Sequence, residues 1–431
     1  MKRHLLRNIL VGTAIAGLIT GLAVSPSMLG FSGTAQAQGN DPMVPRFEVD
    51  PLWPKPYPNH WVIGATIGLD VDKQDNVWIV HRPGTLENQE SRLTRNESEC
   101  CTAAPDVLAF NQAGNVIHSW GRDDAAKTVP SGDWPVSNHG VTVAPDGTIW
   151  IGGNGPGQPP AYKPGSAQQF ARGGAGPGEG GGETGRYHDS FLLHFTVDGK
   201  FISEIGKANG STGSLDPVNV RGTAQIRFLP DGTLVAADGY GGHRVSMWDP
   251  KTGKNTKIFG AYGKPPSDDP IPHYDVNSPQ FGNPVHCAQP SNEMILYVCD
   301  RTNNRLQLFK YDGTYIKQIA VSPNTKGEGA VWEVAFSTDK AQKYMYMSDG
   351  ASELIHVFDR ATLTELYRFG GGGRMPGQFY AVHSIVTDSK GNIYTTETYR
   401  GQRVQKFNYK GLVPLSSLIK AKVVGGSVIN P

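Results

Sequence analysis

Three histidines stand out by position rather than by number. His139, His286 and His383 each open an apolar strand, in the segments "SNHGVTV", "NPVHCAQ" and "YAVHSIV". Each precedes the aromatic residue of the following strand, Trp150, Tyr297 or Tyr394, by eleven positions. The same offset from Trp78 and Val235 gives Ile67 and Ala224, and a fifth repeat with one extra residue gives Val334 or Ala335. Histidine and apolar residues therefore alternate from repeat to repeat. Three imidazoles that converge, with positions left open for water or substrate, make a catalytic zinc-type site. Three unrelated histidines in a polar channel are the plainer alternative. A shared register in alternate repeats, drawn from 12 histidines in 431 residues, argues against that coincidence.

A second group of polar residues falls fourteen to sixteen positions after the histidine register. It comprises His81 and Arg82, then Asp238 and Tyr240, then Asp300 and Arg301, then Glu397 and Tyr399. An arginine can clamp a carboxylate with two parallel hydrogen bonds. A tyrosine beside a metal and a cation ionises more readily and can act as a base. Asp300, Arg301 and Glu397 read best as ties between structural units. His60 lies outside the register and reads as structural or exposed.

These residues need a scaffold that repeats. Apolar strand, Asp/Asn/Gly turn, strand with a polar end, and strand with an aromatic end recur along the chain. Strong copies are "HGVTVAPDGTIWIGGN" from His139 and "AQIRFLPDGTLVAADGYGGHRVSMWDP" from Ala224. Alternating apolar positions between turn signals predict short antiparallel strands. A repeat of roughly 40–60 residues predicts an all-β, six-bladed β-propeller whose blades stack around an axis. The first strand of each unit then lines the channel. Alternate blades lie about 120° apart, so the three histidines point at one another.

The remaining features set the compartment and the boundaries. Lys2, Arg3 and Arg7, an apolar stretch and the site Ala35-Gln36-Ala37 predict a cleaved signal peptide over 1–37 and a periplasmic or extracellular protein. No stable membrane insertion is expected after cleavage. Net charge is +1 for the whole chain and slightly negative without the leader, which gives no reason to expect nucleic acid as a partner. A Pro-rich segment over 38–61 is expected to be extended, and to pair with the other chain end if the ring closes as propellers often do. The propeller spans 62–412, with a Gly-rich insertion over about 152–187, followed by a tail over 413–431. In an oxidising compartment a Cys287–Cys299 bridge is plausible on neighbouring strands, and a vicinal Cys100–Cys101 ring is strained but feasible.

Taken together, these segments resemble peptidyl-α-hydroxyglycine α-amidating lyase within the NHL-repeat propellers, over about Val62 to Phe407. The resemblance implies zinc bound by His139, His286 and His383. It also implies a catalytic arginine at Arg82, in "VHRPG", and a catalytic tyrosine at Tyr240, in "DGYGGHR". The implied reaction cleaves the C–N bond of an α-hydroxyglycine-type substrate to an amide and glyoxylate. The substrate would be a small molecule or peptide in the channel mouth. The family's structural calcium fits less well. Its aspartate after the third histidine is Ser384 here, and carbonyls near Leu69 and Val141 alone hold calcium poorly. The cysteine after the family's tyrosine is Gly241, and no copper monooxygenase domain is present in this chain. Two alternatives have different signatures. A non-catalytic propeller holding a peptide or envelope protein would tolerate loss of single histidines. A metal-dependent hydrolase such as a lactonase would carry calcium without zinc. A redox role lacks a CxxCH, Rossmann or P-loop motif.

Overall fold

The computed structural model describes residues 41–155, 189–272 and 274–420. The expected signal peptide over 1–37 and nearly all of the expected insertion over 152–187 lie outside the described residues. The described residues form six four-stranded antiparallel sheets and one short parallel pair, Trp61–Val62 with Thr102–Ala103. This is a six-bladed β-propeller. The inner strands are Ala65–Val71, Asn138–Val143, Thr223–Phe228, Val285–Pro290, Glu333–Phe336 and Val382–Thr387.

The strands form where β-branched and aromatic residues alternate, and they turn at Asp-Gly and similar pairs. Gly147 and Gly232 take φ of 88° in two of these turns, a backbone that favours glycine. One sheet alone cannot bury both faces, and the packing shows how the problem is solved. Six apolar clusters fill the six seams between neighbouring blades. Trp78, Val80, Ile149 and Phe191 join blades 1 and 2, while Ala335, Tyr346, Ile385 and Phe407 join blades 5 and 6. Each fully buried side chain of this size contributes roughly 1.5–3 kcal/mol by leaving water.

The sixth blade is completed from the other end of the chain. Strand Met43–Val49, within the Pro-rich segment, pairs antiparallel with Arg403–Pro414. Trp53 follows it, buried against the rings of Phe110 and Tyr394, and so seals the seam between blades 1 and 6. Sheet structure thus extends from 43 to 414, beyond the range expected from the repeats. His60 is exposed. Cys287 and Cys299 are bridged across the inner hairpin of blade 4, and Cys100 is joined to Cys101. Among the described residues no helix is long and apolar enough to cross a membrane.

A charged tie recurs where the second strand of a blade ends. Asp238 accepts from Arg244 Nε at 2.6 Å, Asp300 from Arg305 Nε at 2.7 Å, and Glu397 from Arg403 Nε at 2.7 Å. The other guanidinium nitrogens reach carbonyls of the incoming loop. Arg244 takes Ser214, Asp216 and Asn219, and Arg305 takes Ser278 and Gln280. The ties fix each loop to its blade. In blade 5 Leu354 stands opposite Asp349, and the carboxylate instead meets His356, two residues further along the third strand and buried also against Glu365.

Candidate metal centre

Each histidine sits where its inner strand is irregular. Register is lost between Asn138 and Val141, between Val285 and Cys287, and between Val382 and Ile385. These β-bulges contain His139, His286 and His383. A bulge breaks the strict alternation of side chains and re-aims one of them. The bulged histidines turn inward at one end of the channel, where they are 1–3% exposed. Their ligand atoms all lie within 4.8 Å of one another.

Hydrogen bonds fix which ring nitrogen faces the axis. His139 Nδ1 donates to the carbonyl of Ala224 at 2.7 Å, and His286 Nδ1 donates to that of Trp332 at 2.7 Å. A carbonyl only accepts, so both protons sit on Nδ1 and both Nε2 atoms carry a lone pair. His383 Nδ1 meets Ser384 Oγ at 3.1 Å, and its Nε2 lies 3.2 Å from His286 Nε2. Bases this close need a proton or a cation between them. Burial, with the neighbouring imidazoles and the Arg82 and Arg301 guanidiniums, holds all three histidines well below the usual imidazole range. They are therefore neutral near pH 7, the form that binds metal. Three Nε2 donors, two held by backbone carbonyls and one by the Ser384 hydroxyl, fit a tetrahedral zinc-type ion, whose donors stand roughly 3.3 Å apart at bonds of about 2.0–2.1 Å.

The structure revises the register in blade 5. Ala335 pairs with Tyr346, and the turn between them is three residues longer than in the other blades. The position equivalent to Ala224 is thus Trp332, not Val334 or Ala335. The two carbonyls that accept from histidine Nδ1, on Ala224 and Trp332, are equivalent. The Trp332 ring also lies 5.6 Å from His286 and 5.3 Å from His383, and so walls one side of the cluster.

Tyr240 and Arg82 are brought to the same place. Tyr240 is 7% exposed, and its Oη lies 3.1 Å from His139 Nε2. Since that nitrogen carries the lone pair, Tyr240 donates to it. Burial raises the Tyr240 phenol, against the pull of Arg301 and Arg82. Arg82 donates through Nε to the Asn138 carbonyl at 2.9 Å and through Nη2 to Asn154 Oδ1 at 3.0 Å. His81, its neighbour, is structural. It accepts from Gly64 N–H and bonds the Pro105 carbonyl, and burial pushes it down to about 4.

Arg301 belongs to the site rather than to the blade ties. Its Nη1 donates to Tyr240 Oη at 3.0 Å, and its guanidinium lies 4.5 Å over the Trp332 ring. Asp300 and Glu397 do serve as ties, though within one blade and to its incoming loop rather than from blade to blade. Sequence reasoning missed Trp332 and Glu328, the latter paired with Arg301 Nη2 at 2.7 Å. Aligning strands by pairing rather than by spacing would have exposed Trp332. Glu328 lies in a connecting loop and left no such signal.

The place expected for calcium is already served by a side chain. Arg227 donates to the Leu69 carbonyl at 3.4 Å and to Glu333 at 2.8 Å. Ser384 bonds Glu333 as well as His383. A guanidinium thus lies against one of the carbonyls that calcium would need, so this arrangement does not fit the ion.

The chain matches no family model and no curated protein sequence. Among solved structures, virginiamycin B lyase from Staphylococcus aureus aligns at a TM-score of 0.46 and 12% identity, over 84% of this chain and 99% of that chain. A catalytically inactive variant of that lyase with quinupristin gives 0.43 and 11%, over 85% and 88% of the two chains. A streptogramin B lyase gives 0.45 and 12%, over 84% and 98%.

Proposed function

We propose that the protein is a metal-dependent lyase that cleaves the C–N bond of an α-hydroxyglycine-type hemiaminal, giving an amide and glyoxylate. One observation carries this reading: three imidazole nitrogens converge, and one of them, on His139, is in direct contact with a tyrosine that two arginines flank. His139, His286 and His383 would hold the metal, zinc by the nature of the donors. When bound, it supplies Lewis acidity toward the substrate's hydroxyl oxygen.

The chain's own residues divide the remaining work. Tyr240 Oη, as phenolate, takes the proton of the α-hydroxyl. Arg82 and Arg301 favour that phenolate, opposing the effect of burial. As the hydroxyl oxygen becomes the aldehyde carbonyl, the C–N electron pair leaves with nitrogen, which takes the proton from Tyr240, giving the amide and restoring the phenolate. Arg82 holds the substrate's carboxylate and stabilises charge that develops beside it. Trp332 and the buried cluster exclude water from the breaking bond.

The test is metal content of the purified mature protein, followed by glyoxylate release from an N-acyl-α-hydroxyglycine. About one zinc per chain and turnover are expected, as for other three-ligand zinc sites that keep an open position. A metal-free protein, purified without chelators, or a zinc-loaded protein without turnover would overturn the reading. The first outcome would favour a non-catalytic binding propeller.

A further inference from the structure

The two guanidiniums of the mouth are not equivalent. Arg301 is 4% exposed in its side chain and donates Nη2 to Glu328 Oε2. Glu328 also bonds the Tyr399 side chain, so one carboxylate links the second-strand ends of blades 4 and 6. It stands between Gly327 and Gly329, at φ of 70° and 77°, and its side chain is 22% exposed. Arg82, by contrast, reaches two neutral oxygens. Among the described residues no carboxylate lies within ion-pair distance of it. Burial works against the Arg301 charge, yet Tyr240, Glu328 and Tyr399 raise it overall. Arg82 is lowered, because burial outweighs Tyr240, Tyr399 and Asp189.

We infer that Glu328 sets the charge of the substrate: by neutralising Arg301 it leaves Arg82 as the cation that receives an acid, and so selects monoanions over dianions. The inference rests on reading this mouth as the place where substrate binds. A second carboxylate arriving beside Arg301 meets Glu328 in a poorly solvated pocket, where like charges repel strongly. With Glu328 uncharged, Arg301 would hold a charge that no carboxylate balances, and a dianion would meet two guanidiniums.

Titration calorimetry of the purified protein with glycolate and tartronate, hydroxy acids of one and two carboxylates, tests this. Glu328→Gln keeps the hydrogen bonds and removes the charge. It should raise affinity for tartronate relative to glycolate by about tenfold or more, the worth of one charge-assisted bond. A ratio within about twofold of wild type overturns the inference, as does the absence of binding by both acids to both proteins. If Glu328→Gln does not fold, Glu328→Ala is read in the same way. Glyoxylate release keeps the two proposals apart. A shifted ratio without turnover removes the lyase and leaves Glu328 as the charge selector. Turnover with an unshifted ratio removes only the inference about Glu328.

Discussion

The protein buries two sets of basic side chains on opposite rules. Arg244 and Arg305 are 0% exposed, and their guanidinium nitrogens meet a carboxylate or the oxygens of an adjoining loop. His139 and His286 are 1% exposed, yet each satisfies only Nδ1 within the backbone and turns a lone pair toward the axis. Burial is the same in both sets, and completeness of partners is what differs. A buried base whose bonds are all internal holds loops in place. A buried base whose free nitrogen turns to a phenol or another imidazole on the axis, rather than to the backbone, is prepared for something from outside.

The largest test of this contrast is His286→Ala. It should lose bound zinc and reduce lyase turnover by about a thousandfold or more, with the circular dichroism of the sheets unchanged. Asp300→Ala should do the reverse. It leaves Arg305 buried without its carboxylate, and should cost about 3–5 kcal/mol in denaturant unfolding while zinc content is kept. Equal stability losses in the two variants would erase the distinction. Tyr240→Phe should lower kcat by about a hundredfold or more, at wild-type metal content and melting temperature, because it removes a proton acceptor and no structural tie.

The smallest effect sharpens the comparison within the ties themselves. In blade 5 the carboxylate Asp349 is met not by an arginine opposite it but by His356, two residues further along the third strand, and burial there is outweighed by Asp349 and Glu365, which raise the imidazole above its usual value of 6.5. A raised folded-state value means that the stabilisation is fully present below pH 6.5 and lost as pH rises through the folded value. Unfolding free energy measured across that range should therefore fall more for wild type than for His356→Arg, whose charge persists. Parallel profiles would show that His356 contributes to the blade by packing alone.

The repeat, the blade number and the alternation of histidines were legible because hydrophobic alternation reports which face of a strand is buried. The bulges at His139, His286 and His383 were not, since alternation carries no mark of an extra residue. Counting residues from the second strand put the three converging histidines in one register because their hairpins share one turn length. It failed at Trp332, where the turn is longer. Arg301 looked like a tie, as acidic and basic residues at strand ends often are, but the strand ends at Asp300 and the chain turns at Arg301. Asp300 turns to the blade's own loop and Arg301 to the axis. Glu328 depends on where a connection crosses the ring, which only the closed fold determines.

Closure itself has a consequence for how the chain comes to be folded. Met43 pairs with Pro414, and Val49 with Phe407, so the earliest strand made waits for the last about 370 residues later. At ribosomal speeds of about 5–20 residues per second, that wait is on the order of tens of seconds. For that interval the strand that will close blade 6 lacks its partner, and afterwards one pairing must close the whole ring. A chain stopped short of Arg403 should therefore behave as an aggregating fragment with two unpaired sheet edges, rather than as a smaller ring.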